Sequence, residues 1–289
     1  MNFDRRITPF RADLADESLR EQVEAERFTT GVVKSVGAAF APLHRHPSRE
    51  APMDTQAIFG ESVTVYDEHE GWAWVQLHED GYVGYLPSSS LSDPGPEPTH
   101  RVGSVRTFVY PGPNLKLPFE GYLSLNSKVA VTDRQGDYAR LAGGGWVYAP
   151  HLTGLDAREA DYVSVAERFL HTPYLWGGRT SLGIDCSGLA QTALAASGLK
   201  APRDSDMQER QLGAPVEVTP DLGGLRRGDL VFWQGHVGLM LDATNFIHAT
   251  GHSMTVMIEP IAVAEERIRR TSYGPISSIK RLVEKHPRG

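Results

Sequence analysis

A short pattern is written twice in the first half of the chain: Gly81-Tyr82-Val83-Gly84-Tyr85-Leu86-Pro87 and, more weakly, Gly145-Trp146-Val147-Tyr148-Ala149-Pro150. A repeat of about 65 residues is too long for a solenoid unit and suits tandem small domains. The first copy ends a run of short alternating segments, 62–66, 72–77 and 82–86, separated by the turn-forming stretches 67–71 and 78–81. Alternation over five or six residues between such turns predicts half-buried strands, and hence a small β-barrel over residues 29–92. The second copy ends a matching run, 128–132, 136–141 and 145–150, which predicts a second barrel over residues 98–153. Between them residues 93–98 hold three prolines, the composition of a stiff spacer. Ahead of both, residues 13–27 place Leu14, Leu19 and Val23 on one side of a helix with mixed charges opposite, which predicts a helical extension over residues 1–28.

After residue 158 the texture changes. Cys186 is the only cysteine in 289 residues, which excludes an internal disulfide. It opens a run from Gly188 to Gly198, rich in helix formers, with Leu189, Ala190, Ala193 and Leu194 on one face and a glycine stop. A thiol in the first turn of a buried helix meets unpaired backbone N–H groups, which favour a thiolate. Downstream, residues 229–241 read as two apolar strands joined by a turn at Gln234-Gly235, with His236 opening the second. Residues 246–249 read as the next strand and carry His248. A hairpin of this kind sets His236 beside His248. With the Cys186 helix packed on the sheet, the three residues make a nucleophile, a base and a group that orients the base.

These residues resemble a known family. Tyr174-Leu175-Trp176-Gly177-Gly178, Asp185-Cys186-Ser187-Gly188, Arg226-Arg227-Gly228-Asp229-Leu230-Val231-Phe232, Gly235-His236-Val237-Gly238 and Ile247-His248-Ala249 are similar, in this order, to the motifs of the NlpC family of bacterial cell-wall cysteine peptidases. The resemblance covers about residues 158–289. It implies a papain-like α+β domain with Cys186, His236 and His248 as the triad. The two preceding barrels resemble bacterial SH3-type domains, the first more closely than the second. The expected architecture is therefore multidomain, two SH3-like barrels followed by the papain-like domain. This layout resembles the γ-D-glutamyl-L-diamino acid endopeptidases, which act on peptidoglycan-derived peptides with a free N-terminal L-alanine.

The resemblance also implies roles for further residues. Tyr174 and Trp176 would wall the cleft, the Tyr174 hydroxyl beside an oxyanion. Ala201-Pro202-Arg203-Asp204-Ser205 matches the family's segment after the nucleophile helix, with Asp204 set against the substrate amine and Arg203 and Ser205 facing the γ-glutamyl carboxylate. Tyr82 and Glu50 match the first-barrel tyrosine and acidic partner of the amine pocket. Asp185 and Ser187 flank the sulfur and are expected among the substrate-binding residues. A carboxylate there opposes a thiolate, so Asp185 is expected to point at the substrate side or to cap the helix.

Other functional classes recede on composition. A formal charge of −7 argues against nucleic acid as the partner, and no apolar run is long enough to span a bilayer. Neither a metal nor a cofactor is expected: one cysteine and histidines without carboxylates at ligand spacing do not make a zinc site. The first residues lack the apolar stretch of a secretory signal, so a cytoplasmic location is expected if the recorded start is the true one. Two alternatives remain open, a cysteine amidase or acyltransferase on another amide or lipid, and a wall-binding SH3 protein with a vestigial peptidase.

Overall fold

The structure, a computed structural model, describes residues 3–217 and 221–282. The outermost ends of the expected 1–28 extension and 158–289 domain lie outside the described residues. The chain divides into two compact units, Met1–Ala157 and Arg158–Gly289.

In the first unit, seven strands form one antiparallel sheet in the order Met53–Ile58, Phe40–His44, Val83–Pro87, Trp72–Leu77, Ser62–His69, Val32–Val36, Leu91–Ser92. Their inward residues, among them Leu43, Val63, Val75, Leu77, Tyr82 and Leu86, meet in one buried cluster. The hairpin between Ser62–His69 and Trp72–Leu77 closes through Glu70 and Gly71, both at positive φ. That is the turn whose twist matches a right-handed β-ribbon. Residues beyond the proline-rich spacer form three smaller antiparallel sheets around Val102, Leu123, Val129, Ala139, Leu141 and Val147, with Phe59 packed against the same cluster.

The expected N-terminal helix is absent. Residues 13–27 hold instead a two-residue strand, Ala15–Asp16, paired in parallel with Phe28–Thr29, and one 3-10 turn, Glu17–Leu19. Asp16 explains part of this: its carboxylate accepts from the backbone N–H and hydroxyl of Ser18, a local bond that competes with helix. Leu14 and Ala15, adjacent in sequence, are both buried. Tertiary burial overrides the helical spacing of Leu14, Leu19 and Val23.

In the second unit a six-stranded antiparallel sheet runs in the order Ala214–Pro215, Ser278–Arg281, Leu230–Trp233, His236–Met240, Asn245–Thr250, Thr255–Pro260. The helix Cys186–Ala196 packs against the strands His236–Met240 and Asn245–Thr250, and Leu189, Ala190, Ala193 and Leu194 are fully buried. The helix Ile261–Thr271 follows the last-named strand and covers a second cluster with Trp233, Met240 and Phe246. Among the described residues no helix is long and apolar enough to cross a membrane.

Candidate active site

The nucleophile helix starts at Cys186 because Asp185 caps it. The Asp185 carboxylate accepts from the backbone N–H of Gly188 at 2.7 Å and of Gly177 at 2.8 Å. Arg203 then closes on the same carboxylate, Nη1 to Oδ1 at 3.1 Å and Nη2 to Oδ2 at 2.6 Å, and Nη1 also donates to Ser187 Oγ at 2.8 Å. Of the two orientations open to Asp185, capping is the one adopted. The expected roles of Arg203 and Ser187 toward substrate are corrected: Arg203 is only 1% exposed, and its paired donors are spent on the cap of the nucleophile helix. Gln208, also buried, donates to the carbonyls of Ser187 and Pro202 and ties the following helix, Ser205–Gln211, to the same corner.

Across from this corner stands the strand His236–Met240. It follows Leu230–Trp233 through a two-residue turn whose Gly235 has φ of +90°. The Val237 backbone N–H reaches the Cys186 sulfur, so the thiol lies at the start of this strand. His236 and His248 meet as expected, Nε2 to Nδ1 at 2.8 Å. Gly238 permits this. A Cβ at Gly238 would collide with the ring of Phe246 and with His248 Cβ, so the bare backbone makes room for the second imidazole. Tyr273 stacks on His236, with ring centroids 5.5 Å apart and planes 4° from parallel.

Three members of this constellation, Glu259, Arg267 and Tyr273, were not anticipated from sequence. His248 Nε2 lies 2.9 Å from Glu259 Oε1, and Arg267 holds both oxygens of Glu259 at 2.5 Å. The signal was present in the sequence, since Glu259 is a lone acid ending the apolar run 256–258, and a charge in such a place needs a partner. Tyr273 left no comparable trace.

Burial pushes the Cys186 thiol up to about 12, and the Asp185 charge adds to the rise; N–H groups of Val237 and Ser187 and the Arg203 cation oppose it. A rise from an ordinary value near 9 corresponds to about 4 kcal/mol against the thiolate. A helix N-terminus returns only about 0.3–1 kcal/mol, rising to about 2 kcal/mol in favourable partly buried geometry. The expected resting thiolate therefore gives way to a thiol. Burial likewise holds His236 well below its usual value, with His248 and Arg267 acting in the same direction, and the resting pair is neutral. Burial also opposes charge on Glu259, but Arg267 and His248 prevail and hold it down to about 2.

The remaining expected residues are placed as follows. Tyr174 is half-buried, and burial together with the nearby sulfur and Asp185 raises its hydroxyl above the ordinary range. Trp176 is largely exposed. Ser205 is buried at the first turn of its helix, whereas Asp204, half-buried, makes no side-chain cap there. Tyr82 is buried in the first unit's core cluster and Glu50 is exposed.

Residues 171–270 match the NlpC/P60 family model, and residues 43–91 match the bacterial dipeptidyl-peptidase SH3 domain model. The chain carries an SH3 domain followed by an NlpC/P60 domain. A γ-D-glutamyl-L-lysine dipeptidyl-peptidase of Bacillus cereus is 28% identical over 241 residues, 72% of this chain and 71% of its own length. The Bacillus subtilis protein of the same name is 25% identical, covering 75% of this chain and 79% of its own length. A solved NlpC/P60 family protein from Bacillus cereus superposes with a TM-score of 0.72 at 23% identity, over 87% of this chain and 99% of that one. The alignments therefore run well beyond the NlpC/P60 domain into the SH3-bearing unit.

Proposed function

We propose that this protein is a cysteine peptidase that hydrolyses the bond between γ-D-glutamate and an L-diamino acid, meso-diaminopimelate or L-lysine, in peptidoglycan-derived peptides with a free N-terminal L-alanine. The observation that carries the reaction class is the buried Cys186 thiol at a capped helix start, opposite the hydrogen-bonded imidazoles of His236 and His248. The names of the two Bacillus relatives supply the bond. In the reaction, His236 takes the proton from Cys186 as the sulfur attacks the γ-glutamyl carbonyl carbon. The tetrahedral oxyanion forms near the Tyr174 hydroxyl and a backbone N–H at the helix start. On collapse, the C–N bond breaks and His236 passes its proton to the departing amine. Water then attacks the thioester with His236 as base, which frees the γ-glutamyl carboxylate and restores the thiol.

Asp204, half-buried beside the start of the helix Ser205–Gln211, belongs in this proposal to recognition of the L-alanine amine. The region 98–153 is read as a second SH3-type domain on the strength of its repeated motif and its own core cluster. A reducing, cytoplasmic setting suits the single thiol. The test is mass spectrometry of products from L-Ala-γ-D-Glu-meso-diaminopimelate, beside its N-acetylated form and with Cys186→Ala. Release of L-Ala-γ-D-Glu from the free-amine peptide alone, lost in the variant, is the expected result. Cleavage of both peptides would remove the amine pocket from the proposal, and cleavage of neither would remove the peptidase.

A further inference from the structure

The two imidazoles do not end the chain of contacts that begins at His236. Beyond His248 lies Glu259, 8% exposed, and beyond Glu259 the guanidinium of Arg267. Glu259 sits opposite Phe246 on the neighbouring strand, one diagonal step from His248, so the register of the sheet delivers its carboxylate to the imidazole. Arg267 arrives from the helix Ile261–Thr271, two turns along from the end of the strand that bears Glu259.

These contacts dictate where the protons are. An ionised carboxylate only accepts, so the His248 nitrogen facing Glu259, Nε2, carries hydrogen. A neutral His248 then has its lone pair on Nδ1, and the His236 nitrogen facing it, Nε2, must be the donor. His236 Nδ1 is left with a free lone pair. Without the carboxylate nothing fixes the direction of this sequence, because two neutral imidazoles hydrogen-bond equally well in either sense.

We propose that Glu259, clamped by Arg267, is a positioning residue that sets the tautomers of both His248 and His236 and so leaves His236 Nδ1 as the base toward Cys186. This rests on the reading of Cys186 and His236 given above. The arrangement has a second consequence. When His236 takes the Cys186 proton, the positive charge is shared along a line that ends in a carboxylate, and Arg267 limits how strongly that carboxylate attracts it. Glu259 and Arg267 therefore act on base strength with opposite sign. The other titratable groups beside the imidazoles are Tyr273, stacked on His236, and His252, near His248.

The opposite signs make the test. In Glu259→Gln the side chain keeps its shape and loses its charge. Its kcat/KM on the free-amine peptide is expected to fall about 10- to 100-fold, by analogy with the outer partners of metal-ligating histidines, with the acid limb of the pH profile displaced to lower pH. Arg267→Gln frees the carboxylate and is expected to move that limb to higher pH. Nitrogen NMR of the histidine rings gives a readout independent of turnover. In a Cys186→Ala background both rings are expected as Nε2–H tautomers, and adding Glu259→Gln mixes them. An unmoved acid limb with an unchanged tautomer pattern would overturn the inference and leave Glu259 a structural ion pair. If Glu259→Gln does not fold, the direction of the Arg267→Gln shift decides alone. Activity retained by Cys186→Ala would instead sink the peptidase reading, and the ring spectra would still judge Glu259.

Discussion

Two arginine–carboxylate pairs stand behind the two halves of the candidate site, and they are built differently. Behind the cysteine, Asp185 is shared among a guanidinium and two backbone N–H groups, with Arg203 sealed from solvent. Behind the histidines, Glu259 is shared between a guanidinium and a ring that changes its charge, and the Arg267 side chain retains 17% exposure. The first pair has fixed partners at every oxygen and serves as a brace. The second has one partner whose protonation matters to the proposed chemistry, and so transmits charge. The same two functional groups hold architecture in one place and reactivity in the other, according to what shares the carboxylate.

The comparison is broken or sharpened by experiment. The largest expected effect is Arg203→Met, which strands a buried Asp185 charge and should cost about 3–5 kcal/mol in urea unfolding. The matched Arg267→Met should cost clearly less, because its site is more open to water. Equal losses at the two positions would erase the distinction. Gly238→Ala comes next: the added methyl meets Phe246 and His248, and a loss of about 1–3 kcal/mol is expected. Peptide turnover should drop further than unfolding explains, because the relay is displaced while Cys186 is intact.

Acid should undo the relay in two steps, the imidazoles before the carboxylate. His236 and His248 have depressed values in the folded state, so the unfolded chain takes up their protons first. Their contribution is present above about 6.5, the ordinary histidine value, and is lost as pH falls below it toward the folded values. Glu259, held at about 2 from an ordinary 4.5, gives up its contribution only between those two values. Unfolding midpoints measured from pH 8 to pH 3 should fall in two stages; a flat profile from 7 to 5 would mean that the imidazoles are not buried neutral. The smallest effect belongs to a surface comparison, Glu266→Ala. Its partners Arg269 and Arg270 are exposed, and no measurable change in the unfolding midpoint is expected.

Much of the site was legible in the chain because its parts are local. The turn at Gln234-Gly235 and the alternation around it brought His236 to His248, and the glycine-terminated run after Cys186 became its helix. What stayed hidden depends on long-range burial. Arg203 looks like a ligand for a substrate carboxylate until the fold supplies Asp185, eighteen residues away. Residues 13–27 have helical spacing, yet burial of Leu14 and Ala15 and the Asp16–Ser18 turn draw them into strand and 3-10 turn. A thiol's value is likewise fixed by its surroundings, and no motif reports how dry they are.

That dryness carries a consequence for survival. Alkylating agents, peroxides and foreign disulfides all react with the thiolate. A sulfur that keeps its proton until a carbonyl is presented beside it is chemically quiet between turnovers. The protein should therefore outlast, in iodoacetamide or dilute peroxide, a cysteine enzyme that rests as an ion pair.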